Sequence, residues 1–147
     1  MTMLDIKRIL VPVNETKEAF SALSMADNLA RIYNAEVALL LVTYFNEKTD
    51  SSFGGASWLS TPFTGSVSRY SHSILDSARM QLSADLQIST HHLSGQPKLK
   101  ILEFAREYHA DLIIMGCRQL SFFGTILNGS VSRYVLEKSI CPVLIVK

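Results

Sequence analysis

Ile9-Leu10-Val11-Pro12-Val13 is a short, unbroken apolar run rich in branched side chains. A run without polar alternation is what a strand buried on both faces requires. Pro12 has no N–H to offer a neighbour, so the ladder is expected to loosen towards the end of this strand. Asn14, Glu15 and Thr16 follow, polar and suited to capping a helix. Ala19, Ala22, Leu23, Ala26, Ala30 and Tyr33 then recur at helical spacing, and Asn34 is the expected stop.

Further along, Val37 to Tyr44 reads as a second buried strand. The stretch from Phe45 to Gly65 is rich in Ser, Thr and Gly and contains Gly54, Gly55 and Pro62, so a long, flexible, lid-like loop at about 45–65 is expected. Phe53, Trp58 and Phe63 imply some packing of its own. A helix is expected from about Ser66 to Gln87, with Val67, Tyr70, Ile74, Ala78, Leu82 and Leu86 on one stripe. A weaker strand follows near Ser89 to Leu93, and Gly95-Gln96-Pro97 breaks it and opens a helix carrying Ile101, Leu102, Ala105 and Tyr108. Leu112 to Met115 is another buried strand and Cys117 to Asn128 a loop. Val131, Tyr134, Val135 and Lys138 mark a last short helix, and Val143 to Val146 a terminal strand. The order βαβαβαβαβ predicts one α/β domain over residues 1–147, with a parallel sheet and helices on both faces. Ligands of such sheets bind at the C-terminal ends of the strands, where the strand order reverses. That directs attention to the segments after Val13, Tyr44 and Met115.

Composition narrows the function. Fourteen Lys and Arg against thirteen Asp and Glu leave a net charge of +1, without the basic excess of a dedicated nucleic-acid or anionic-membrane binder. Two cysteines, Cys117 and Cys141, are too few for a disulfide scaffold and lack zinc-site spacing, so a reducing cytoplasm is the expected setting. No run approaches the ~18 apolar residues of a membrane span. Met1 to Arg8 holds Asp5 and Lys7 and lacks the apolar stretch of a secretory signal.

The segment with chemical promise lies between Gly116 and Ser130. Gly116 ends a buried strand, and Gly129-Ser130 closes the following loop onto a helix start. Free N–H groups and a positive dipole end make such a start receptive to an anion. Gly129 permits close backbone approach, the Ser130 and Ser132 hydroxyls add donors, and Arg118 can add a charge-assisted contact. The same residues also suit an ordinary capped helix after a loop. Gly-Ser-Val-Ser-Arg-Tyr occurs twice, at Gly65 to Tyr70 and at Gly129 to Tyr134, and reads as one local solution, a Gly turn with Ser capping a helix, used twice. No catalytic constellation and no metal cluster is visible. His91 and His92 are strand neighbours pointing to opposite faces, and His72 and His109 fall on expected helices with a solvated role.

Ala110-Asp111-Leu112-Ile113-Ile114-Met115-Gly116, Gly129-Ser130-Val131-Ser132 and Cys141-Pro142-Val143-Leu144-Ile145-Val146 together resemble the universal stress protein family. Ile9 to Val13 and Gly95-Gln96-Pro97 match its pattern too, so the resemblance spans essentially the whole chain. It implies a five-stranded parallel sheet of order 3-2-1-4-5, of the adenine nucleotide alpha hydrolase type. It also implies a homodimer formed through Val143, Leu144, Ile145 and Val146. One branch of the family binds ATP and another does not. The ATP-binding branch carries Gly, two residues, Gly, nine residues, Gly, then Ser or Thr. Here Gly116, Gly129 and Ser130 keep that spacing, while Gln119 stands where the second Gly belongs. Asn14 stands where the family usually has Asp. By resemblance Pro12, Val13 and Asn14 border the adenosine, and Val42 touches the base. Met115, Gly116, Gln119, Gly129, Ser130, Val131 and Ser132 hold the remainder of the nucleotide. The expected function is therefore an adenine-nucleotide-binding stress-response protein with at most slow ATP hydrolysis, Mg²⁺ accompanying the ligand. The alternative is a family member acting only through protein contacts.

Overall fold

Strand β1 (Arg8–Val13) occupies the middle of the sheet, because its side chains are apolar on both faces. A computed structural model of the chain describes residues 5–14, 17–43, 57–116 and 130–147. After β1 come α1 (Lys17–Tyr33), β2 (Glu36–Thr43), α2 (Ser57–Met80), β3 (Ile88–Ser94), α3 (Pro97–Tyr108), β4 (Leu112–Gly116), α4 (Ser130–Lys138) and β5 (Val143–Val146). The five strands are all parallel in the order β3-β2-β1-β4-β5, the doubly wound arrangement expected.

Strand alternation divides the core in two. Ile9, Val11 and Val13 join Val37, Leu39 and Ile114 under α1 and α2, which contribute Ala22, Leu23, Leu75 and Ala78. Leu10, Leu40, Ile113 and Met115 face the other way, beneath Ile101 and Ala105 of α3 and Val135 of α4. The sheet margins differ. β3 exposes Thr90, His92 and Ser94, whereas β5 is apolar throughout and half-buried.

The sequence expectations hold for most elements and fail informatively for one. Asn34 stops α1 in the left-handed region at φ 54°, with the Ala35 N–H donating to Ala30 O at 2.9 Å. His109 does the same after α3 at φ 58°, so it is a helix cap and not part of the helix. Helix α2, however, begins at Ser57 and not near Ser66. Of the expected loop at 45–65, residues 57–65 are helical and residues 45–56 lie outside the described residues. Pro62 and Gly65 punctuate that stretch, but the spacing of Leu59, Phe63, Val67, Tyr70 and Ile74 is helical through both. Gly65-Ser66 is therefore helix interior and caps nothing, whereas Ser130 in the second copy of the hexapeptide does open a helix.

Helix α2 also ends early, at Met80, where Gln81 and Leu82 turn back with N–H bonds to Ala78 O and Arg79 O. A side chain from α1 holds this turn. Asp27 accepts the Ser83 backbone N–H at 2.9 Å and the Ser83 hydroxyl at 3.2 Å. Burial pushes the Asp27 carboxyl up. The Ser83 N–H and hydroxyl and the Arg31 guanidinium outweigh it and hold the carboxyl below the usual carboxylate range. A lowered folded-state pKa stabilises the fold above the unfolded value and is lost as pH falls through the folded one. Asp27→Ala is thus expected to cost about 1–2 kcal/mol at pH 7. Urea unfolding should show that difference narrowing as the pH falls through the carboxyl's folded value.

Candidate functional site

The two seams of β1 behave differently along their length. Towards β2, pairing runs from Arg8↔Glu36 to Val13↔Leu41. Towards β4, it covers only Ile9↔Leu112 and Leu10↔Ile113. The loosening expected at Pro12 therefore falls on the β4 side. At the other end this seam is bolted shut. Asp111 Oδ2 accepts the backbone N–H groups of Lys7 and Arg8, each at 2.9 Å, and its own N–H donates to Arg8 O at 2.8 Å. The C-terminal ends of β1 and β4 are the point where the strand order reverses, which is where sheets of this kind take their ligands.

The expected site residues distribute around it as follows. Val42, Met115 and Val131 pack on the α3/α4 face. Val13 packs on the opposite face, so towards a ligand on the α3/α4 side it offers backbone and not side chain. Pro12 and Gly116 are half-buried and Asn14 is exposed at the end of β1. Ser132 is buried in the first turn of α4, with 8% of its surface exposed. Ser130 is the first residue of that helix. Arg118, Gln119 and Gly129 lie outside the described residues.

The turn from β3 into α3 lies at the same end of the sheet. The Gly95 N–H donates to Thr43 O at 2.9 Å, tying this turn to the end of β2. Gly95 has φ +141°, a backbone state that side-chain-bearing residues rarely adopt. Pro97 then opens α3 as expected, after Gln96, which makes no side-chain capping bond. On the α2 side of the sheet, the His92 Nε2 lies 2.9 Å from the Thr43 hydroxyl and 3.3 Å from the Ser71 hydroxyl.

Elsewhere the polar chemistry is structural. At the N-terminal end of the sheet Arg8 pairs with Glu36 at 3.0 Å, and the Tyr108 hydroxyl donates to the same carboxylate at 3.1 Å. Burial, and next the Glu36 carboxylate, push the Tyr108 phenol up, with Arg8 opposing. Arg8 and Glu36, with Asp111 and neighbours, line a concavity of about 600 Å³ at this N-terminal end of the sheet. His91 packs on Phe104 with ring centroids 4.7 Å apart, and burial pushes its imidazole down. Among the described residues no cluster of three or more His, Cys, Asp and Glu side chains could hold a metal ion, and no helix is long and apolar enough to cross a membrane.

Residues 5–147 match the model of the universal stress protein family. The chain belongs to this family. The universal stress protein YxiE of Bacillus subtilis is 31% identical over 145 residues, covering 95% of this chain and 98% of its relative. Among solved structures, the hypothetical protein MJ0577 superposes with a TM-score of 0.73 at 26% identity, over 97% of this chain and 96% of that one. A universal stress protein crystallised in complex with cAMP gives 0.69 at 22% identity, over 97% of each chain, a likeness of fold. Asp111 lies within the segment Ala110 to Gly116 that carries the family resemblance. In a universal stress protein of this sequence it is the bolt between β1 and β4, a role that reading the motif alone does not reveal, because its partners lie 103 and 104 residues away.

Proposed function

We propose that the chain binds an adenine nucleotide, ATP with Mg²⁺ or a related species, at the C-terminal ends of β1 and β4, and acts in the cytoplasm as a homodimeric stress-response regulator. The observation that carries this reading is the Gly116 to Gly129-Ser130 spacing in the sequence, with Gly116 ending β4 and Ser130 opening α4. The cAMP complex of a similarly folded protein supports an adenine ligand over other anions. Binding with at most slow hydrolysis fits better than turnover, since Pro12, Val42, Met115 and Val131 offer no general base. The free thiol of Cys141 fits a reducing compartment. Dimerisation through β5 fits its position as the apolar margin of the sheet.

A second reading, a family member that works through protein contacts alone, is favoured by Gln119 and Asn14 at the two positions that depart from the nucleotide-binding pattern. One experiment separates them. Purified protein is denatured and the extract examined by mass spectrometry for ATP or AMP, followed by calorimetric titration with ATP and Mg²⁺. The nucleotide reading expects bound ligand in the parent and its loss in Gly129→Val, whose added bulk blocks phosphate approach. Ligand retained equally by the variant sinks the pocket, and no binding by the parent favours the contact-only reading. Sedimentation of the same preparation should give twice the chain mass of 16.4 kDa if β5 pairs.

A further inference from the structure

His91 is placed unlike the other three histidines. His72, His92 and His109 are exposed, whereas His91 is half-buried on the α3 side of β3, in register with the fully buried Leu40. Its ring meets Phe104 of α3, with centroids 4.7 Å apart and planes tilted by 52°. Phe104 stacks in turn on Tyr108 at 5.5 Å, and the Arg8 guanidinium lies 5.6 Å from the Tyr108 ring. Imidazole, phenyl, phenol and guanidinium thus form one column along α3, from the β3 margin to the entry of β1.

The column suits a neutral imidazole. The His91 Nε2 has one polar neighbour, the Ser89 hydroxyl at 2.9 Å, two residues back on the same face of the strand. Among the described residues no carboxylate lies within ion-pair distance of His91. The charges of the elements packed around it are engaged elsewhere or point to water. On α3, Lys98 lies 4.9 Å from the Tyr134 ring, Lys100 and Glu103 pair at 3.1 Å, and Arg106 and Glu107 are exposed. The one charge of β2, Glu36, is taken by Arg8 and the Tyr108 hydroxyl. Burial accordingly holds the His91 imidazole below its ordinary value. A tilted phenyl ring returns only part of the hydration that an imidazolium loses there.

We propose that the contact between His91 and Phe104 is an acid-responsive latch, which holds the margin of α3 on β3 while His91 is neutral and loosens it when His91 is protonated. Opening this margin frees His91 to titrate at its ordinary value, so opening takes up a proton. Docking is therefore strongest above the ordinary imidazole range and weakens as pH falls through it towards the lower, docked value. Ile101 and Ala105 keep α3 on Leu10 and Leu40, so the change is a local loosening and not unfolding. No ligand takes part, and the inference stands apart from the nucleotide reading.

The test is amide hydrogen exchange of the full chain at about pH 7.5 and about pH 5, on either side of the imidazole range and corrected for intrinsic rates, in the parent, His91→Phe and His91→Gln. In the parent, protection of the Phe104 and Tyr108 amides relative to those of Leu10 and Ile113 is expected to fall about twofold or more on acidification. Both variants carry an uncharged side chain throughout, so the ratio should stay constant in each. His91→Gln keeps the test open if the larger ring of His91→Phe disturbs the packing. Proton NMR titration of the parent gives a second readout, in which the His91 ring should titrate below the ordinary imidazole value. A ratio that does not change in the parent, an equal fall in the variants, or a His91 midpoint at or above the ordinary value each overturns the latch.

Discussion

Ile113→Ala is expected to lower the unfolding free energy by about 2–5 kcal/mol, the usual cost of truncating a fully buried branched side chain. Ile113 has no exposed surface and packs among Leu10, Leu40, Met115 and Val135, between two neighbouring strands. Its paired strand supplies Leu10 in one direction and Val143 in the other, so the cavity sits where three strands meet. Neither neighbour can relax inward without breaking its ladder, which keeps the cost towards the upper part of that range. Ile32→Ala is the control. Ile32 is 73% exposed on α1, and its truncation should change stability by less than about 0.5 kcal/mol. Urea unfolding of both variants, with unchanged denaturant slope, checks the pair. Similar effects at the two positions would refute the assignment of the core.

Asp111→Ala is expected to cost about 2–3 kcal/mol, since each hydrogen bond to a charged acceptor contributes about 1.5–3 kcal/mol before allowance for partial exposure. The substitution removes the acceptor of two backbone N–H groups at the entry to the central strand. The seam it closes has only two paired positions beyond, so little else holds β1 to β4 at that end. Asp111→Asn keeps an oxygen in the same place without the charge and should lose about half as much. Amide hydrogen exchange gives the local readout, with Lys7 and Arg8 exchanging faster in both variants and fastest in Asp111→Ala. Protection unchanged at these two amides would show that the bolt contributes nothing.

Much of the architecture was legible because it depends on patterns short enough to see in sequence. The apolar runs of β1, β2 and β4 have no polar alternation, and a strand buried on both faces leaves that mark. Pro97 and Asn34 mark helix ends through their own backbone preferences. Helix α2 departs from expectation where composition and spacing disagree. Ser, Thr, Gly and Pro are poor helix formers, yet the recurrence from Leu59 to Ile74 follows the helix period. What could not be read were contacts between distant positions. Asp27 with Ser83, Asp111 with Lys7, and Lys98 with Tyr134 each join segments that only the sheet brings together. Of the residues proposed to hold a nucleotide, those at the ends of β1, β2 and β4 were legible as strand ends. The split of Val13 from Val42 and Met115 onto opposite faces follows from strand parity only once the register is known.

The unlike margins of the sheet limit how copies of this chain can associate. A seam made between two β5 strands related by a twofold axis consumes the oily border of both partners, and what stays outermost is the hydroxyl- and imidazole-bearing border at β3. Such a border is a poor template for a third copy. If β5 pairs as proposed, growth through backbone pairing terminates at a closed pair, which would guard the chain against polymerising into fibres.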